Sequence, residues 1–357
     1  MSDNAATRPR AGNAANLLTV LFSTWLLGGV LADVLAHNNI RKLETFFTPW
    51  HAALYSGFLA TAAWVGWIVR RNLMAGRRGF DAIPTGYGLG VAGVALFLVA
   101  GAGDLAWHTI FGIEQNTRIL FSPTHLLLIT ALSLIFTSPL RDALTDPAIP
   151  DAPSTRRLLP AMLGLAFAGA AIMVLLQYGN MLLLTPDRVV DALDRDGKGS
   201  GASSVALELI VTNVALLFPL LIIGRRWTIP FGTATIMYAV FGVQAAVLRT
   251  PMVLVTVVLC GLGVDLLAMR LRPGPSRRRA FWAFGALAPV VTWAVFFAVG
   301  FIEAGRLPGV VEFWTGMPVV AGLLGLLFAA LLLPGAGALG GAGVEPAVSH
   351  ETTPTAR

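Results

Sequence analysis

Four of the five histidines fall into two matching constellations. The first is Asp33-x3-His37 followed by Phe47-Thr48-Pro49-Trp50-His51, and the second is Asp104-x3-His108 followed by Phe121-Ser122-Pro123-Thr124-His125. The fifth, His350, lies in a polar tail. An Asp and a His four residues apart on a helix share one face, a single turn from each other. Thr48 and Ser122 suit the N-cap of a following helix, and Pro49 and Pro123 then occupy N1, where proline costs least. His51 and His125 therefore belong to the first turn of a returning helix. A tight hairpin brings that turn beside the end of the preceding helix, so each hairpin can converge Asp, His and His on one point. Glu44 and Glu114 lie in the intervening loops and offer a further oxygen.

Two imidazoles and one carboxylate with open positions suit a metal. The set matches the facial triad of non-haem Fe(II) sites and also suits copper or zinc, with copper binding most tightly in the divalent first-row series. A single cysteine, Cys260, excludes a multi-thiolate site and an intrachain disulfide. The plainer alternative is an Asp–His pair that caps a helix end. The two copies and the lack of histidine in the other apolar runs favour metal or proton chemistry.

The elements that carry these residues are membrane helices. The 357-residue chain is 56% hydrophobic and 12% charged, with a mean hydropathy of +0.74. Runs long enough for a bilayer core of about 30 Å recur. Ten are expected, near 17–36, 49–69, 86–107, 123–140, 159–179, 204–223, 231–248, 252–269, 281–302 and 316–334. The fold class is thus all-α, a polytopic membrane helical bundle. Basic residues crowd one set of loops: Arg70, Arg71, Arg77, Arg78, Arg156, Arg157, Arg225, Arg226 and Arg277 to Arg279. The positive-inside rule then puts both termini in the cytoplasm and both constellations on the outer side of the cell (plasma) membrane. The same loops account for the pI of about 10.2, so the expected partner is the lipid bilayer and not nucleic acid.

Residues 1–16 read as a polar cytoplasmic tail, 17–140 as a duplicated four-helix region with the proposed ligands, and 141–158 as a cytoplasmic linker. Residues 159–334 read as a six-helix membrane region and 335–357 as a disordered tail. Asp33 to Asp104 and His37 to His108 share an offset of 71 residues, while His51 and His125 differ by 74. This spacing predicts a parallel internal repeat of two hairpins. Asp187, Asp191, Asp194 and Asp196 in the loop 185–203 lack the alternating ligands of an EF-hand and read as solvated. Gln177, Asn180, Asn213 and Gln244 are expected to hydrogen-bond between helices. Asp265 is a lesser candidate for a proton-relay group.

The string Asp104-x-x-Trp107-His108 with Phe121-Ser122-Pro123-Thr124-His125 resembles the copper-site motif of the membrane-bound copper monooxygenases, the particulate methane and ammonia monooxygenases. The match is to their C subunit, where Asp-x3-His and a Thr/Ser-Pro-x-His opening the next span bind copper. The resemblance implies copper ligands at Asp104, His108 and His125, with Asp33, His37 and His51 as a second set. It covers residues 33–51 and 104–125 only, in a chain with more spans than that subunit.

Three functions are consistent with these features. The first is a membrane metalloprotein with one or two Asp-His-His sites, a monooxygenase-like oxidoreductase for a small apolar substrate, working with partner subunits or as a homo-oligomer. The second is a metal transporter or metal-handling protein without catalysis. The third is a haem protein using the histidines as axial ligands.

Overall fold

The computed structural model describes residues 8–40, 47–112, 120–194, 201–249 and 251–334. It is an all-α polytopic bundle. The helices are α1 (Asn13–Asn39), α2 (Pro49–Met74), α3 (Gly88–Phe111), α4 (Pro123–Phe136), α5 (Ser138–Leu144), α6 (Thr155–Leu175), α7 (Pro186–Leu193), α8 (Gly201–Arg226), α9 (Thr233–Leu248), α10 (Val253–Leu271), α11 (Arg278–Ala304) and α12 (Val311–Leu332). Among the described residues nine spans are long and apolar enough to cross a membrane, α4 and α5 counting together as one. The expected seventh span differs. It is α9, only 16 residues long, which at 1.5 Å per residue reaches about 24 Å.

The start of α9 is set by a side chain from α10. Asp265, fully buried, accepts hydrogen bonds from the backbone N–H of Ala234 (2.9 Å) and Thr235 (2.9 Å) and from Thr235 Oγ1 (2.6 Å). The carboxylate satisfies amides that a helix N-terminus leaves open. This cap gives Asp265 a structural role at the start of α9.

Helix pairs follow chain order: α1 packs on α2, α3 on α4, α9 on α10 and α11 on α12, while α6 lies against α1, α4 and α9. Close approach of α1 and α2 depends on two glycines. A Cβ on Gly29 would stand 2.5 Å from Leu54 Cα, and one on Gly57 would stand 2.7 Å from Leu26 Cα. Small residues at such crossings let backbones touch, the usual device where lipid provides no hydrophobic drive between helices.

Buried amides join other helices. Gln244 donates to the Ala170 carbonyl at 3.0 Å, and Asn213 accepts from Trp293 Nε1 at 3.1 Å. Asn180 instead caps a short turn through the Leu182 N–H. In the loop around α7, Asp191 and Asp194 both pair with Arg306. These contacts raise the Arg306 pKa above its ordinary value and occupy two of the carboxylates in that acidic loop.

Candidate metal centre

Each trio is assembled by one helix end and one helix start. Asp33 and His37 lie in the last turns of α1, and His51 lies in the first turn of α2. Thr48 caps α2 by accepting the His51 N–H at 3.1 Å, with Pro49 opening the helix. In the second hairpin Asp104 and His108 belong to α3, and Ser122 caps α4 by accepting the His125 N–H at 3.2 Å. Both expected caps are present.

The caps bring the donors together. His51 Nε2 is 3.3 Å and His37 Nδ1 3.6 Å from Asp33 Oδ1. His108 Nε2 is 3.6 Å from Asp104 Oδ2, and His125 Nε2 is 3.7 Å from Asp104 Oδ1. Within each trio one donor atom per residue lies within 4.8 Å of the others. With metal–ligand bonds of about 2.0–2.2 Å, ligands of one ion stand roughly 3–4 Å apart. Small side-chain rotations close that gap. Glu44 and Glu114, the candidate additional ligands, lie outside the described residues.

Hydrogen bonds orient the rings. His108 Nδ1–H donates to the Gly112 carbonyl at 3.4 Å, on the side away from Asp104, whereas His37 Nδ1, the nitrogen that faces the Asp33 carboxylate, also lies 3.0 Å from the Asp33 carbonyl. His125 Nδ1 is 2.7 Å from Ser122 Oγ, Ser122 Oγ is 2.9 Å from Thr124 Oγ1, and Thr124 Oγ1 donates to Asp104 Oδ1 at 3.0 Å. Because Thr124 gives its proton to the carboxylate, a consistent assignment runs His125 Nδ1–H to Ser122 to Thr124 to Asp104. The Nε2 lone pairs of His108 and His125 then face the Asp104 carboxylate. A lone pair opposite an anion is repulsive unless a cation lies between them.

The two trios are neighbours. Ring centroids step from His37 to His51 by 5.9 Å, from His51 to His108 by 6.4 Å, and from His108 to His125 by 5.9 Å. One cavity of about 60 Å³ touches Asp33, His37, His51, Asp104 and His125 together. Among the described residues its lining contains two carboxylates and no Lys or Arg. Buried negative charge without a counter-charge is costly, so the site favours cations.

The trios are not equivalent. Asp104 is 3% exposed and supported by Thr124, whereas Asp33 is 13% exposed. Asp33 Oδ1 is buried and accepts no hydrogen bond among the described residues. The position matching Thr124 in the first hairpin is Trp50, which has no hydroxyl.

Three further residues complete the site. Tyr55 lines the cavity one turn beyond His51, a placement readable from its i,i+4 spacing. Asn38 Nδ2 donates to Gln177 Oε1 at 3.2 Å, and both line the cavity with Leu175. This contact joins α1 to the turn after α6 across 139 residues, and no local pattern announces it. The remaining wall is apolar and includes Val30, Val34, Leu54, Phe97 and Leu132. Compared with protein-family profiles, curated proteins and solved structures, the chain matches none.

Proposed function

We propose that this chain is an integral membrane metalloprotein whose Asp33–His37–His51 and Asp104–His108–His125 groups hold one or two metal ions. Copper is the first choice, then iron or zinc. The observation that carries this reading is the convergence of five of the six trio residues on one cavity that, among the described residues, has two carboxylates and no basic side chain. When bound, copper or iron supplies one-electron chemistry toward O2.

The chain's own residues set the rest. His108 and His125 present Nε2, held in that orientation by Gly112 and Ser122. Asp33 and Asp104 balance the ionic charge and can accept a proton. The apolar wall from Val30 to Leu132 seats a small apolar substrate that partitions from the bilayer, and a partner subunit delivers electrons. The resemblance to the C subunit of the copper monooxygenases points the same way. By the positive-inside rule the trios face outward from the cell membrane.

Haem fits less well, because organic ligands and cofactors occupy pockets of about 300–1,000 Å³ and this cavity holds about 60 Å³. Transport draws no support from Asp265, whose carboxylate is engaged at the start of α9. The test is metal analysis of the detergent-purified protein together with O2 consumption. The expected result is bound copper or iron that is lost in a His108→Ala/His125→Ala variant, and O2 uptake that falls with it. Bound metal without redox activity would leave a metal-handling protein, and no bound metal would overturn the reading.

A further inference from the structure

A second cavity lies apart from both trios. It has a volume of about 300 Å³ and sits where α7, the start of α10 and the last turns of α11 meet. Its interior is apolar, with Val189, Val253, Phe296, Phe297 and Phe301 among its walls. Two charged residues also line it: Arg249, the C-cap of α9, and Glu303, in the last turn of α11. Both are exposed.

The backbone reinforces each charge. Helix α10 starts at Val253, and its N-cap, Met252, provides no side-chain hydrogen bond. The positive end of this 19-residue helix lies near Arg249, with the Leu254 and Val255 amides donating to the Pro251 and Met252 carbonyls. Helix α11 ends at Ala304, so its negative end lies beside Glu303. The cavity thus combines an apolar interior with one cationic and one anionic side chain, each at a helix end of matching polarity. It opens at helix ends, the level where lipid headgroups lie.

We propose that this cavity binds a zwitterionic aminophospholipid. Its phosphate meets Arg249 at the positive end of α10, its primary ammonium meets Glu303, and part of one acyl chain packs on Phe296, Phe297 and Phe301. A primary ammonium donates hydrogen bonds to the Glu303 carboxylate. A choline headgroup has no such donor, and a glycerol headgroup has no positive charge.

The experiment uses the full chain, delipidated in detergent, titrated with phosphatidylethanolamine, phosphatidylcholine and phosphatidylglycerol of one acyl composition and read by native mass spectrometry. The parent binds the ethanolamine lipid about tenfold more tightly than either other lipid, one charge-assisted contact's worth of affinity. Glu303→Gln removes that advantage over phosphatidylcholine, and Arg249→Gln weakens all three. Gly300→Leu fills the cavity and also weakens all three; a Cβ at Gly300 meets only Pro186 Cβ, at 4.0 Å. Equal binding of the three lipids by the parent, an ethanolamine preference that survives Glu303→Gln, or full binding by Gly300→Leu would overturn the proposal.

Discussion

Thr124 distinguishes the two trios at the scale of a single side chain. Its hydroxyl donates to Asp104 and continues the chain through Ser122 to His125. Partners of this kind orient ligands and raise their basicity, and their loss commonly costs 10–100-fold in metal affinity. Thr124→Val should therefore weaken the second site by about that factor and leave the first unchanged, as read by competition with a chelator. Equal weakening of both sites, or none, would contradict the assigned chain. Trp50 lacks this role, so the Asp33 trio is expected to be the weaker of the two.

At the scale of elements, caps and crossings decide whether the donors meet. Losing a Ser N-cap costs about 1 kcal/mol. Ser122→Ala should lower stability by that much and also reduce metal retention, because Ser122 holds both the His125 amide and its ring. Asp265→Ala should separate the two effects. It strands buried amides at roughly 1–3 kcal/mol each, so the melting temperature drops while metal content per folded chain stays constant. A change in metal content with unchanged stability would contradict the purely structural role of Asp265. The trios were legible in the sequence because both devices are local: an i,i+4 pair and a Ser/Thr-Pro start. Their approach to within 6.4 Å and the Asn38–Gln177 closure depend on packing between distant segments. The short α9 was likewise hidden, since the apolar run 231–248 carries no mark of the cap that Asp265 supplies from α10.

For the whole molecule, the alternation of spans puts both trios at one end of the bundle. Arg70, Arg71, Arg156, Arg157, Arg225, Arg226 and Arg278 lie at helix ends that the same alternation places opposite. We propose from the positive-inside rule that the basic end is cytoplasmic. In intact cells a cysteine at Asp187 should react with an impermeant thiol reagent and one at Arg77 should not; the reverse pattern would turn the trios inward. The native Cys260 is buried and should not interfere. The central claim is that the two neighbouring trios hold metal. Anomalous X-ray scattering from crystals of the purified protein, recorded on both sides of the copper absorption edge and then the iron and zinc edges, tests it most directly. The account predicts an anomalous peak between Asp104, His108 and His125, with a second, weaker peak at Asp33, His37 and His51. No peak at either trio, or a peak elsewhere in the bundle, would contradict it.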